Sequence, residues 1–148
     1  MKLALLFVTI CCAVFAENII TDCSGPDAAI RLEEYSISPD YIVKGGNVTI
    51  SAKGALLRDI TDGATAQVKV KFGAIPVIRE TYDICRQAKE FDLPIQCPVP
   101  AQGQVLAPTT MPLPDEVLPG KYTASIKAKL ADGTELTCMN AQFEVHRH

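Results

Sequence analysis

The sequence has no tryptophan, and its two histidines, His146 and His148, both lie within the last three residues. It also has no G-x-S-x-G segment, the pattern that exposes a nucleophilic serine in many lipid hydrolases. Without an internal histidine, the residue that most often acts as general base is missing. The acidic pair Glu33 and Glu34 is better explained as a solvated strand edge than as a catalytic pair. We therefore expect no enzyme activity, no catalytic residue and no cofactor.

Signals for metal and nucleic acid binding are missing as well. No two cysteines stand in Cys-x-x-Cys spacing, and the histidines are confined to the C-terminal tail, so we expect no metal site. The chain carries 14 Lys and Arg against 17 Asp and Glu, a net charge of −3, and has no arginine-rich run. Because nucleic acid binding needs a basic patch, we expect no nucleic acid partner.

Long apolar runs are confined to the N-terminus. The segment 'MKLALLFVTICCAVFA' has a positive Lys2, an uncharged apolar stretch over residues 3–14, and a small residue, Ala16, at its end. This pattern predicts a secretory signal peptide over residues 1–16. A membrane anchor is the alternative, but an anchor needs about 20 apolar residues. We expect residues 17–148 to form one exported, monomeric domain, either secreted or kept in a vacuolar or lysosomal lumen.

The cysteines and one sequon bear on export. Six cysteines are present, and two of them belong to the predicted signal peptide. An even number in an exported domain predicts two disulfides, but four cysteines can pair in three ways and the sequence does not choose among them. Asn47 begins an Asn-Val-Thr sequon and is a candidate glycosylation site. The four remaining cysteines are Cys23, Cys85, Cys97 and Cys138.

The rest of the chain shows the period-two alternation of β-strands. Segments 47–54, 66–73 and 121–130 each place apolar side chains on one face and polar ones on the other. Such alternation is typical of sheets with one buried and one solvated face. Asp-Gly at 62–63 and at 132–133 predicts tight hairpins. About seven strands with turns roughly every 8–12 residues predict an all-β protein, a two-sheet β-sandwich.

Two features depart from an ordinary sandwich. The predicted buried faces carry many alanines, which leaves either closer packing or room between the sheets. In the segment 72–78, Pro76 interrupts an apolar run. Because proline cannot donate a hydrogen bond to a neighbouring strand, this strand should lie at an edge or contain a bulge. Ile75, Val77 and Ile78 should then be partly exposed.

Seven short segments follow one another in a specific order. They are 'DC' (22–23), 'ISP' (37–39), 'VKVKFG' (68–73), 'DIC' (83–85), 'QCPVP' (96–100), 'LPGKYT' (118–123) and 'DGTELTC' (132–138). This series resembles the ML lipid-recognition domain, the family of the Niemann–Pick type C cholesterol carrier. The resemblance covers about residues 21–145 and is greatest to the phosphatidylglycerol/phosphatidylinositol transfer proteins. It implies an immunoglobulin-like sandwich with an apolar cavity between the two sheets.

The resemblance also bears on the cysteines. It implies that Cys23 pairs with Cys138 and that Cys85 pairs with Cys97, which would make the segment between the latter two a closed loop. The cholesterol carrier has a further cysteine pair around the segment equivalent to 36–46, and this chain has none there. That difference favours the phospholipid-transfer branch over sterol binding.

The function implied by the resemblance is to carry a phospholipid, phosphatidylglycerol or phosphatidylinositol, between membranes, with transient contact to a membrane surface. Sterol binding and transport is the alternative, and a protein-binding sandwich without a lipid is a second. The mouth of the cavity would be formed by Ile75, Pro76, Val77, Leu118 and Pro119. The lipid would lie against Ile50, Val68, Val70, Phe72, Tyr122, Ala124, Ile126 and Phe143.

Overall fold

The computed structural model describes residues 18–93, 95–106 and 109–147, and the predicted signal peptide lies outside these ranges. Within them, no helix is long and apolar enough to cross a membrane. No group of three or more His, Cys, Asp or Glu residues in the same ranges could hold a metal ion. The elements in chain order are β1 (Ile19–Asp22), β2 (Ile30–Ser38), β3 (Ile42–Val43), β4 (Asn47–Leu56), β5 (Thr65–Phe72), β6 (Ile75–Asp83), α1 (Ile84–Glu90), β7 (Gln102–Leu106), β8 (Thr109–Pro112), β9 (Gly120–Lys129) and β10 (Glu135–His146).

The strands form two sheets. Sheet A has the strand order β1-β10-β9-β5-β6 with antiparallel pairing, and the two-residue β3 pairs with β10 in parallel. Sheet B has the order β2-β4-β7, and β8 also pairs with β4, all antiparallel. The predicted all-β, two-sheet sandwich is confirmed.

The described residues contain ten strands, where the sequence predicts about seven. The difference arises from the shortest strands: β1 has four residues, β3 has two and β8 has four. An alternation of apolar and polar residues needs at least four to eight positions to be recognised, so strands of this length give little periodic signal.

Only one of the two Asp-Gly pairs closes a hairpin. At 132–133 the loop joins β9 to its neighbour β10, and the Leu130 N–H donates to the Thr134 carbonyl over 2.8 Å. The strands that flank 62–63, β4 and β5, belong to different sheets, so Gly63, with φ 98°, turns the chain across the sandwich instead. The hairpin prediction at 62–63 is wrong, because Asp-Gly specifies a local turn but not which strands pair.

The segment around Cys85 and Cys97 is compact and partly helical. The Asp83 carboxylate caps α1 by accepting a hydrogen bond from the Arg86 N–H over 3.0 Å. A disulfide joins Cys85 to Cys97, 12 residues later, and the Cys85 side chain belongs to the buried core. The disulfide therefore ties a loop and α1 to the core in a region that has few sheet hydrogen bonds.

A second disulfide joins Cys23, directly after β1, to Cys138 in β10, 115 residues apart. Beside it the Cys23 N–H donates to the Cys138 carbonyl over 2.9 Å. The Cys138 N–H in turn donates to the Ser24 hydroxyl over 2.8 Å. Both disulfides have the pairing that the resemblance implies. This one fastens the N-terminal strand to the last strand of the chain.

The strand with the interrupting proline lies at the edge of sheet A. In β6, Val77 is an extra residue without a partner on β5, because the register shifts between Val70 and Lys71. Residues 75–78 are all exposed. The predictions that Pro76 marks an edge or bulge, and that its apolar neighbours are exposed, are confirmed.

The sequence suggests that His146 belongs to a free C-terminal tail, but the structure places this residue in the sheet. It ends β10, and its ring stacks on Tyr41 with 4.0 Å between ring centroids. Its carbonyl accepts a hydrogen bond from the Lys44 N–H over 3.1 Å. The second histidine, His148, lies outside the described residues.

Candidate functional site

Ile42 and Val145 are buried where β3 and β10 meet the start of β9, but the main cluster of buried side chains occupies the other end of the sandwich. At this end the last residues of β4 and β9 meet the loop before β5, the start of α1 and the loop before β7. The side chains there are small or medium in size, and each is at most 8% exposed. The members of this core are Ala29, Leu56, Ile60, Ala64, Cys85, Val99, Ala128, Leu130 and Leu136.

The two sheets diverge with distance from this core. On β4, Leu56 is 2% exposed, whereas Ile50, on the same inner face, is 38% exposed. On β9, Ala128 is 4% exposed and Ile126, two residues earlier on the same face, is 39% exposed. Inner-face side chains of a closed sandwich interdigitate and exclude water. The sheets therefore stand apart at the end that carries the starts of β4 and β9.

An apolar cavity of about 240 Å³ lies in this opening. Its walls come from β2, β3, β4 and β8, from the residue after β8, and from one residue of β10. No ionisable side chain is among the lining residues, so a ligand there would contact hydrocarbon and one aromatic ring. The lining residues are Ile37, Ile42, Val48, Ile50, Met111, Pro112, Leu113 and Phe143.

Six of the eight residues predicted to contact lipid lie beside this cavity and do not line it. They form a block on the inner face of β5 and β9, in which five are half-buried and Ile126 is exposed. Their register pairs are Val68–Ile126, Val70–Ala124 and Phe72–Tyr122. Of the predicted eight, Ile50 and Phe143 line the cavity itself.

A row of aromatic rings joins the cavity to this block. The Phe143 ring stacks on Tyr122 with 5.4 Å between centroids, and Tyr122 contacts Phe72 at 5.1 Å in a tilted arrangement. Gly120 makes room for the row, since a Cβ at that position would overlap the Phe72 ring. The cavity and the inner face of sheet A thus form one continuous apolar surface.

The predicted mouth lies at the open end of the sandwich. Its residues are Ile75, Pro76, Val77, Leu118 and Pro119. Ile75 pairs with Phe72, and the Tyr122 hydroxyl donates to the Leu118 carbonyl over 2.8 Å, which brings both segments to the aromatic row. Ile75 is 63% exposed, Val77 51% and Leu118 61%. Three large apolar side chains therefore project into solvent beside the opening.

Sequence reasoning missed six of the eight cavity residues. Val48 could have been predicted, because it lies two residues before Ile50 and so on the same face of β4. The others lie in or beside strands that are short or irregular, and their facing was not readable from the pattern. They are Ile37, Ile42, Met111, Pro112 and Leu113.

A carboxylate on the edge strand β6 borders the apolar surface. Glu80 pairs with Val68 in register and so lies on the inner side of the edge strand β6. The interaction of the Glu80 carboxylate with the Tyr82 hydroxyl raises the pKa of Tyr82 above its ordinary value. The opening is therefore apolar in its depth and polar at this edge of sheet A.

Solved structures of other proteins share this fold. A Niemann–Pick type C2 protein from the Japanese carpenter ant aligns with a TM-score of 0.60 at 14% identity, covering 86% of this chain and 99% of that one. Chicken MD-1 complexed with lipid IVa aligns with a TM-score of 0.61 at 16% identity, covering 86% and 88%. At such identities the likeness establishes the fold.

Curated relatives are more similar in sequence. The phosphatidylglycerol/phosphatidylinositol transfer protein of Mycosarcoma maydis is 35% identical over 124 residues, 84% of this chain and 64% of the relative. The protein of the same name from Debaryomyces hansenii is 36% identical over 115 residues, 78% of this chain and 57% of the relative. The chain thus spans about three fifths of the length of these relatives.

The ML domain family matches residues 17–145, which is nearly all of the chain outside the predicted signal peptide. The family match, the two diverging sheets and the curated relatives agree with one another. The chain belongs to the ML domain family.

Proposed function

We propose that this protein is a lipid carrier that takes a phospholipid acyl chain between its two sheets and moves it between membranes. The observation that carries this proposal is the apolar cavity of about 240 Å³ at the open end of the sandwich, continuous with the inner face of sheet A. A chain held there contacts side chains from both sheets. No nucleophile or base is needed, and ML-domain lipid transfer proteins are not enzymes.

The energetic role of the cavity is to remove the aqueous barrier to transfer. Moving a 16-carbon chain from a bilayer into water costs on the order of 12 kcal/mol, at ~0.8 kcal/mol per CH₂. Contact with an apolar surface offsets most of that cost, and the exposed mouth lets the chain pass from bilayer to cavity with little contact with water. The carrier need not bind lipid more tightly than the membrane does.

Phosphatidylglycerol or phosphatidylinositol is the ligand class that the curated relatives support, since their names give these two lipids. Sterol binding is the second candidate, favoured by the shared fold with a Niemann–Pick type C2 protein. A protein with the same fold, MD-1, is complexed with lipid IVa, and this supports a lipid ligand in either case. A protein-binding sandwich without a lipid would leave the half-open cavity without a role.

Binding by delipidated protein tests the proposal. We expect delipidated protein to take up fluorescent phosphatidylglycerol and phosphatidylinositol in a saturable manner, and unlabelled lipid of the same kind to compete. A stronger competition by cholesterol than by either phospholipid would move the assignment to sterols. The absence of saturable uptake of all three would refute the carrier proposal.

The mouth residues supply a second prediction. Val77→Asp should slow transfer of fluorescent lipid between donor and acceptor vesicles, because a charge at an exposed bulge disfavours insertion into the bilayer interface. Uptake of monomeric lipid should stay near normal, since Val77 does not line the cavity. Phe91→Asp is the control: Phe91 is 68% exposed and lies beside Ala66 and Tyr82, at the end of β5 and β6 opposite to the mouth. Equal slowing by both variants would contradict the assignment of the mouth.

We also propose export by the secretory pathway. Two disulfides within one small domain suit an oxidising compartment. The signal peptide over residues 1–16 stays a prediction, as does the choice between secretion and a vacuolar or lysosomal lumen. Asn47 is exposed at the start of β4, so the sequon is accessible, and its glycosylation also stays a prediction.

A further inference from the structure

The outer face of sheet A concentrates positive charge on a protein whose net charge is −3. Lys69 and Arg79 are direct partners across β5 and β6, and Lys71 follows Lys69 on the same face. Lys127 on β9 pairs with Gln67, which places it about 7–8 Å diagonally from Lys69. These four residues, Lys69, Lys71, Arg79 and Lys127, are called the cationic face below.

The cationic face is not neutralised within the described residues. The ion pair found among the described residues, Arg58–Asp132, involves none of the four members of the cationic face. Among the residues that the structure describes, three carboxylates share this side of the sheet, but they lie in its outermost rows. Asp83 caps α1, Glu135 accepts from the Gly25 N–H over 2.6 Å, and Glu144 pairs in register with Lys121. Like charges directly opposite each other destabilise a sheet, and an anionic partner would relieve that repulsion.

The same face is concave and rich in hydrogen-bonding groups. A hollow of about 480 Å³ runs across β1, β10, β9 and β5 on this side of the sheet. Its polar side chains combine two ammonium groups with hydroxyls and amides, the groups that bind phosphate oxygens. The polar lining residues are Thr21, Lys69, Lys71, Thr123, Ser125, Asn140 and Gln142.

We propose that the cationic face docks on the phosphate groups of an anionic membrane and so orients the carrier at the bilayer surface. Charge complementarity calls for an anion, and the neighbouring residues point to a membrane as its source. Lys71 pairs with Pro76 in register, so the cationic face continues directly into the exposed apolar residues Ile75 and Val77. A membrane offers both anionic headgroups and apolar depth, whereas a soluble polyanion offers only the charge. The inference rests on the proposed function in taking a membrane as the partner.

The test compares two double variants with the same change in net charge. Lys69→Gln/Lys71→Gln removes two charges from the cationic face, and Lys44→Gln/Lys53→Gln removes two from elsewhere, Lys53 being on β4 of sheet B opposite Glu34. Binding to vesicles is measured by co-sedimentation, with phosphatidylcholine alone or mixed with phosphatidylglycerol. Each lysine near an anionic surface contributes about fivefold in affinity, so we expect the first pair to weaken binding to the mixed vesicles roughly 30-fold.

The controls separate docking from folding and from lipid uptake. We expect the second pair to bind nearly as the unmodified protein does, and high salt to remove most of the difference. Thermal stability of Lys69→Gln/Lys71→Gln should be equal or higher, because repulsion with Arg79 is relieved. Its uptake of monomeric lipid should be unchanged, so that a failure of docking and a failure of lipid binding are distinguishable. Equal weakening by both pairs, or binding to soluble heparin in the absence of binding to the mixed vesicles, would overturn the inference.

Discussion

Removing the Cys23–Cys138 disulfide will lower the free energy of unfolding by about 5 kcal/mol, and removing Cys85–Cys97 will lower it by about 3 kcal/mol. The difference comes from the unfolded chain, because the first disulfide closes a loop of 115 residues and the second a loop of 12. A longer closed loop removes more conformational entropy from the unfolded state.

The experiment uses the double variants Cys23→Ala/Cys138→Ala and Cys85→Ala/Cys97→Ala, which leave no free partner thiol. Alanine keeps the positions apolar, which matters because Cys85 and Cys138 are both buried. Urea denaturation followed by circular dichroism gives both the midpoint and its slope with denaturant. A larger loss from the 85–97 pair would show that α1 and its loop hold the core through packing at Cys85, and that chain entropy is the smaller effect.

Replacing Ile50 with tryptophan will weaken lipid binding about 15-fold if the larger ring displaces about two methylenes of ligand, at roughly 0.8 kcal/mol each. Ile50 lines the cavity and is 38% exposed, so the indole enters open space between the sheets. The fold should survive, with at most the ~1–3 kcal/mol that overpacking costs. Saturation binding of fluorescent phosphatidylglycerol to delipidated protein measures the effect.

Two comparison variants make this result specific. Ile19→Trp makes the same change at a residue that is 53% exposed and pairs with Gln142 on the outer side of sheet A, and it should bind lipid normally. Val70→Trp enlarges a side chain on the inner face of sheet A, beside the cavity. A strong loss in Val70→Trp with none in Ile50→Trp would place the acyl chain against sheet A and outside the cavity.

Much of the fold could be predicted from the sequence, because the side of a strand on which a side chain lies is a local property. Alternation over 47–54, 66–73 and 121–130 predicts long strands with one apolar face. β4 covers the first segment, and β5 and β9 cover the other two except for their last residues. Pro76 predicts an edge or bulge from the missing N–H alone. The ordered segments and cysteines were enough to recognise the family, and that recognition is confirmed.

The pairing of strands and the shortest strands were harder to predict from the sequence. The loop at 62–63 has the same Asp-Gly signal as the hairpin at 132–133, yet it crosses between sheets. Strands β3 and β8 carry Ile42 and Met111 into the cavity wall from segments too short to show a period. The path of the 62–63 loop and the make-up of the cavity wall both depend on which strands lie next to each other in space, and a local pattern does not specify this.

The sequence by itself determined the alternation that makes two apolar sheet faces, the proline that ends regular pairing in β6, and the family to which the chain belongs. Only the tertiary structure decided that the faces close at one end and stand apart at the other. Leu56 and Ala128 are buried, whereas Ile50 and Ile126, on the same faces, are not. The reason is physical, because alternation specifies only which side of a strand is apolar. The distance between two sheets depends on how their side chains pack against each other. Small core residues let the sheets pack closely at one end.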